Sequence, residues 1–337
     1  MQSILETSCS KYVILDKIGD GATCTVFKGY ILGDSSKKLF AIKIFDLKAQ
    51  KYYEKEMLIN NYLPQNQLKN FLEIYNCGDG FIRHEIIDSN IIYSSKTNKS
   101  LEKYRGKIFH IVEELCENGE LFNYIYELKQ GFSEQISAKI FSKILNSLKI
   151  LHENRIVHCD IKPENIIIGN DFNVKLIDFG FSEILGKEDN FLYDYKGSEI
   201  YSSPEIRNRQ INGYDGIKSD IFSMGVLLFV ITVGRFPFEK CGYTDRKYRL
   251  IMNKKFEDFW CYYQQYNLTK EFKNLIEHLL CYDPSERYSI DEIYSHQWIK
   301  NNTYSLFDNN NNDINDIEIV EELRKRKERM QDKEISI

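Results

Sequence analysis

The chain has 337 residues, 42% hydrophobic and 14% aromatic, which is enough apolar material for a sizeable core in one large domain or two moderate ones in contact. Its net charge of −5 comes with Lys and Arg scattered among Asp and Glu, and without a basic block nucleic acid is not an expected partner. Eight cysteines include no Cys-x-x-Cys pair and no metal-ligand rhythm, so they read as reduced thiols and set a cytoplasmic or nuclear expectation.

The opening residues "MQSILETSCS" lack a basic, apolar leader pattern, and Gln2 is incompatible with myristoylation at that position. Residues 1–11 are taken as an N-terminal extension. "YVILDKIG" and "CTVFKGYIL" read as strands around a glycine turn, "KLFAIKIF" as another strand, and "QKYYEKEMLINNYL" as a helix with Tyr52, Met57, Ile59 and Leu63 on one side. The polar stretch from Cys77 to Lys107 is expected to be a long hairpin insertion. "KIFHIVEELCENGELFNYI" is a strand leading through a connector into a helix. Ile136, Ile140, Phe141, Ile144, Leu148 and Leu151 then repeat at helical spacing. Two short apolar runs, "IIIG" and "VKLIDFG", precede a region dominated by helices, in which "IFSMGVLLFVITVG" is too short to span a bilayer and reads as a core helix. A β-rich part thus precedes a helical part, with a seam near Glu114 to Gly119, where a site is sought first. Beyond Lys300, "DNNNNDIND" is a low-complexity linker and "IEIVEELRKRKERMQDK" a charged helix candidate.

Three elements carry chemistry. Gly19 and Gly21 sit between strands, where glycines let a backbone fold tightly and aim N–H groups at phosphates, although a Gly-x-Gly pair alone is more often just a turn. Lys43 closes "FAIK" and either snorkels to solvent or neutralises phosphates. In the second case it needs an orienting carboxylate, Glu56 or its rival Glu54. The third element is Asp160-x-Lys162-Pro163-Glu164-Asn165. Phosphoryl transfer suggests a role for its polar members. Asp160 orients or receives the proton of an attacking hydroxyl, Lys162 lies against the phosphoryl group, and the Asn165 oxygen binds magnesium. Downstream, Asp178 of "DFG" follows an apolar strand, where it can hold a second bond to the metal. On its own that turn would be an ordinary strand end.

With these motifs in this order, the chain resembles a eukaryotic protein kinase from about Tyr12 to Ile299. "SPE" at 203–205, "DIFSMG" from Asp220 and Arg287 in "DPSERYS" add to the match. Lys162 is similar to its serine/threonine members, and "NGELF", "IVHCDIKPENIII" and "HQWI" to their calcium/calmodulin-dependent branch. The resemblance implies an α+β, bilobal fold, with an N-lobe over about 12–115 and a C-lobe over about 116–299. It also implies ATP and Mg2+ as cofactors and protein serine or threonine hydroxyls as substrates. Ile18, Val26, Ala41 and Ile167 would enclose the adenine, backbone groups of Glu114 and Cys116 would bond its edge, and Glu120 would lie near the ribose. Glu205 and Arg287 would pair in the interior, and Asp220 would hold the catalytic-loop backbone.

Departures from the family pattern shape the rest. Cys159 stands where an arginine that grips an activation-segment phosphate is usual, and a thiol cannot make that bidentate pair. The enzyme is therefore expected to work without such a phosphate, with Asp194 either a stand-in charge or a plain solvated acid. Cys24 replaces the third loop glycine. Glu113 falls at the gate behind the adenine pocket, where a buried carboxylate needs a cation such as Lys43. Glu120 and Glu164 predict a preference for basic residues upstream of the phosphorylated serine, although Val230 replaces a further acid that related enzymes use. The alternative of a catalytically dead scaffold runs against the presence of Lys43, Glu56, Asp160, Asn165 and Asp178, and Lys162 with "SPE" disfavours a small-metabolite kinase. The tail from Asn301 is either a calmodulin-binding regulatory helix or a solvated one.

Overall fold

The structure is a computed structural model that describes residues 2–335, apart from 22, 65–66, 69–70, 86–99, 102, 105, 188, 209–211, 240 and 304–316. The chain forms two compact units, Met1–Glu117 and Asn118–Ile337. The first is rich in strands and the second mainly helical.

Among the described residues of the first unit, strands β1 (Gln2–Thr7), β2 (Lys11–Asp20), β3 (Thr25–Ile31), β4 (Leu39–Phe45), β5 (Ile74–Glu85) and β6 (Lys107–Glu114) close into an antiparallel barrel of order β1-β2-β3-β4-β6-β5. Alternation along the strands separates two faces. Phe27, Ile42, Ile44, Ile108 and Val112 fill the interior with Leu5, Tyr12 and Tyr104. Phe45 and Ile111 point outward and meet Tyr52, Tyr53 and Met57 of helix α1 (Gln50–Tyr62). One expectation needs correction. Residues 2–7 are a structural strand rather than an extension, since β1 pairs with both β2 and β5 and buries Ile4 and Leu5. The stretch from Cys77 to Lys107 is the hairpin expected where it is described, since β5 runs to Glu85 and pairs antiparallel with β6 as far as Phe81 opposite Lys107, while residues 86–99 lie outside the described residues.

His110 lies between Ile108 and Val112 on the interior face, 1% exposed, and neither ring nitrogen has a hydrogen-bond partner among the described residues. Burial pushes its pKa down to about 4, against a small opposing pull from Asp79. The folded barrel thus binds fewer protons than the unfolded chain below the ordinary histidine value, so stability is lost as pH falls from about 6.5 towards 4. From that shift the unfolding free energy should drop by about 2 kcal/mol between about pH 7 and pH 5. Urea titrations at the two pH values check this, and in His110→Leu most of that pH dependence should disappear.

In the second unit, the helix Glu134–Glu153 starts at a Ser133 cap and buries the 3.6-residue stripe read from the sequence. It packs against the helix Gly216–Val233, which is apolar enough to cross a membrane but is almost wholly buried in the protein. Gly234 ends that helix at φ +74, and a Cβ there would lie 2.6 Å from the Gly131 nitrogen, so glycine is required. The hairpin Ile166–Ile168 with Val174–Leu176 follows the catalytic-loop sequence. The "DNNNNDIND" linker falls outside the described residues. The helix Ile317–Ile335 that follows is not a solvated rod, one of the two readings of the tail: Ile319, Leu323 and Arg326 are buried, at helical spacing, on one face. The charge all around this helix concealed that face, because its central anchor is an arginine.

Candidate active site

The first unit carries a cluster of candidate residues on the outer face of the barrel. Pairing of Val26 with Lys43 and of Glu113 with Ala41 brings these four side chains to one face, opposite the core. Gly19 and Gly21 both have negative φ, and an added Cβ would meet nothing closer than 3.6 and 3.5 Å. The barrel itself therefore tolerates side chains there, and glycine is explained by room kept for a group approaching the backbone. Gly21 N–H donates to the Cys24 carbonyl (2.9 Å), tightening the turn. Asp20 is held below the usual carboxylate range by hydrogen bonds from Lys17 and then Thr25. Ile18 is 49% exposed beside the turn, an apolar side chain with little to cover it in its own unit. Glu114 spends its N–H on Glu73 (2.9 Å), so contact with a ligand edge falls to its carbonyl, and Cys116 is buried.

Lys43 is buried with two carboxylates. Its Nζ donates to Glu56 Oε1 at 2.5 Å and lies 3.4 Å from Glu113 Oε2. The rival Glu54 instead accepts from Gln50 on the exposed side of the helix. Glu113 thus has the cation that its burial demanded. That partnership, one of the ways the sequence offered to satisfy a buried Glu113, is set by the β4–β6 register. Two buried carboxylates around one ammonium make each a reserve for the other. Glu56→Gln or Glu113→Gln alone should cost about 1 kcal/mol of stability, whereas the double variant takes both of these carboxylates from a buried ammonium and should cost about 3–5 kcal/mol. A double-mutant cycle by urea unfolding measures this, and additivity within about 0.5 kcal/mol would refute the shared clamp.

The second unit carries its own cluster, around Asp160. Asp220, near the start of the helix Gly216–Val233, accepts from the His158 and Cys159 N–H groups at 2.8 and 3.0 Å and contacts His152 at 2.9 Å. This fixes the loop, in which Cys159 adopts a left-handed φ of +64. Asp160 is 4% exposed. Its Oδ2 accepts from Lys162 Nζ (2.7 Å) and Asn165 Nδ2 (3.0 Å), and its Oδ1 accepts from the Ser198 N–H (2.8 Å). Burial alone would raise its pKa, but the Lys162 ammonium and the Ser198 donor outweigh it, and the net shift is downward. Lys162 also donates to Ser198 Oγ at 2.8 Å, a contact with no signature in the sequence.

Asn165 turns its amide nitrogen to the Asp160 carbonyl (2.8 Å) and carboxylate, which orients its oxygen away from them. The Ile177 N–H bonds the Asn165 carbonyl at 2.9 Å, tying this residue to the strand end where Asp178 sits at φ +68. An asparagine oxygen and a carboxylate are the hard oxygen donors that Mg2+ favours. Ile167 bridges Glu120 in an isolated β contact. Glu120 and Glu164 are both raised above the usual carboxylate range, first by burial, and Glu120 next by its proximity to Glu164. Glu164 Oε2 has no hydrogen-bond partner among the described residues. Arg287 and Glu205 form the interior pair, at 2.6 and 2.7 Å.

The protein kinase domain family matches residues 12–299. The chain belongs to that family. This protein kinase domain is 35% identical over 202 residues to the serine/threonine-protein kinase kin-29 of Caenorhabditis elegans, covering 60% of this chain and 23% of that one. It is 31% identical over 298 residues to a probable serine/threonine-protein kinase of Dictyostelium discoideum, covering 88% and 31%. It is 33% identical over 195 residues to a carbon catabolite-derepressing protein kinase of Secale cereale, covering 58% and 37%. The chain spans between about a quarter and just over a third of the length of these curated relatives. The bilobal α+β kinase fold expected from the sequence accords with the family match and with the strand-rich and helical units.

Proposed function

We propose that this protein is a Mg2+-ATP-dependent serine/threonine protein kinase acting in a reducing compartment. The observation that carries the reading is the Asp160 cage: a buried carboxylate held ionised by Lys162, Asn165 and the Ser198 N–H. Such a group is suited to receive a hydroxyl proton beside a cation that faces phosphoryl charge. Lys43, held by Glu56, is the phosphate-facing ammonium, and the Gly19–Gly21 turn is the phosphate cover. In the first unit Ile18, Val26 and Ala41 are assigned to the base and the backbone groups of Glu114 and Cys116 to its edge; in the second unit Ile167 is assigned to the base and Glu120 to the ribose. Asn165 and Asp178 hold Mg2+, which neutralises phosphate charge when bound. The eight cysteines are thiols outside any disulfide. Transfer of labelled phosphate from ATP to a generic serine peptide tests the reading.

Activity is proposed to be independent of activation-segment phosphorylation. In place of an arginine–phosphate contact, Lys196 pairs with Glu183 and lies 3.4 Å from Asp194. Burial would lower the Lys196 pKa, but the Glu183 carboxylate more than reverses this. Arg155 donates to Asn190 Oδ1 (3.1 Å) and to the Asp189 and Gly186 carbonyls. The strand Phe191–Leu192 pairs with Tyr214–Asp215. Asp194, with its side chain 81% exposed, is the outer and weaker partner of Lys196. Phosphatase treatment should leave kcat/KM within about twofold, whereas Lys196→Glu, which gathers three acids, should lower it about tenfold, equivalent to ~1.4 kcal/mol. A collapse on dephosphorylation would refute the idea.

The paired acids Glu120 and Glu164 support a preference for a basic residue upstream of the acceptor serine, readable on a peptide array. The likeness to the calcium/calmodulin-dependent branch raised calmodulin as a partner of the tail. Ile319 and Leu323, the apolar side chains such a partner would grasp, are buried within the second unit, so calmodulin is left out of this proposal.

A further inference from the structure

The helix Ile317–Ile335 carries, at its middle, a contact that the catalytic reading does not use. Arg326 is 3% exposed. Its Nη1 donates to the Tyr124 and Gln130 carbonyls at 3.1 and 2.7 Å, and its Nη2 to the Gly131 carbonyl at 2.6 Å. Its Nε bonds Glu322 at 2.8 Å, and the guanidinium lies 3.7 Å from the centre of the Phe132 ring. Three convergent carbonyls over an aromatic face make a pocket shaped for a planar cation. Further contacts flank this anchor. Glu318 pairs with Lys139, which is itself 2% exposed, and accepts from Gln135 at 3.0 Å. Lys327 donates to Asn118 Oδ1 at 2.6 Å.

The segment gripped in this way is Asn118–Phe132, held at its start by Lys327 and at its end by Arg326. Glu120 lies within it. Asn118 passes the restraint on, since its Nδ2 donates to the Gly169 carbonyl at 2.6 Å and its own carbonyl accepts from Tyr124 Oη at 2.8 Å. The Ile168 N–H bonds the Gly119 carbonyl at 2.8 Å. Glu120 and Ile167 therefore sit on a platform whose outer edge is the tail helix.

We propose that Arg326 and Lys327 are positioning residues, and that docking of the helix Ile317–Ile335 sets the placement of Glu120 and with it the affinity for the nucleotide ribose. This rests on the kinase reading for the role of Glu120, and on the geometry alone for the docking. Release of the helix then weakens nucleotide binding without touching the residues that transfer phosphate.

The test compares full-length wild type with Arg326→Ala, Arg326→Lys, Glu318→Lys and Lys139→Glu/Glu318→Lys. Hydrogen exchange of residues 317–332 reports docking, titration with Mg-ADP reports affinity, and peptide phosphorylation gives KM and kcat. Arg326→Ala should lose protection in the tail, weaken Mg-ADP binding and raise the KM for ATP about five- to tenfold, and change kcat by less than about twofold. Arg326→Lys should not rescue, because an ammonium cannot fork to three carbonyls while stacking on Phe132. Glu318→Lys should behave like Arg326→Ala, and the charge-reversed pair should recover towards wild type. Loss of tail protection with unchanged Mg-ADP affinity would overturn the proposal, as would a changed affinity with the tail still protected. If the wild type binds Mg-ADP but transfers no phosphate, the kinase reading fails while the affinity comparison still decides this one. If it binds no nucleotide, both fall.

Discussion

Asp160→Asn is expected to lower kcat for peptide phosphorylation by about 10²–10⁴-fold while leaving the KM for ATP nearly unchanged. The physical reason lies in the cage. Each carboxylate oxygen accepts from a donor, Lys162 and Asn165 on one side and the Ser198 N–H on the other. An amide cannot take up a proton from a substrate hydroxyl, and its NH2 must face one of those donors. The local hydrogen bonding should loosen, but the fold should stand, because Asp220 independently anchors the loop backbone. Phosphotransfer assays and a thermal melt on the same preparation separate the two effects. A variant that keeps kcat within about tenfold of wild type would remove Asp160 from the chemistry and with it the central claim about function.

The second large effect concerns stability. Arg287 is 1% exposed and uses all its donors: two on Glu205, and one each on the Cys281, Lys218 and Tyr282 carbonyls, at 2.8, 3.0 and 3.2 Å. Glu205→Ala leaves that cation buried with carbonyl dipoles alone and should cost about 3–5 kcal/mol in urea unfolding. Removing both charges, as Glu205→Leu with Arg287→Met, should cost less than the single change, since no uncompensated ion remains. If the single change costs under about 1 kcal/mol, the pair is not a brace of this unit.

What could be read from the letters follows from how far each contact reaches. The Lys162 and Asn165 side of the Asp160 cage is formed within five residues, so that part of its chemistry showed directly in the spacing, whereas the Ser198 N–H on its other side did not. The helix Glu134–Glu153 announced itself through apolar repetition, because its burial obeys a local period. Glu56 could be named because one helix turn limits the choice, although only the structure set it above Glu54. Contacts that depend on register or on distant docking stayed hidden. Lys196 meets Glu183 within the activation segment, and Arg326 enters a pocket formed by residues 124–132, far earlier in the chain. The tail misled for a further reason. Its buried face is anchored by a guanidinium, which hydropathy counts as a surface group, while the carbonyls that satisfy it carry no sequence signature.

Strand β1 has a consequence for recruitment. By pairing on one side with β2 and on the other with β5, it covers the edges that those two strands would otherwise present. Another polypeptide cannot add a strand at those two edges, the route many adaptor modules use. Whatever docks there must recognise side chains, so single surface substitutions should be able to abolish such contacts.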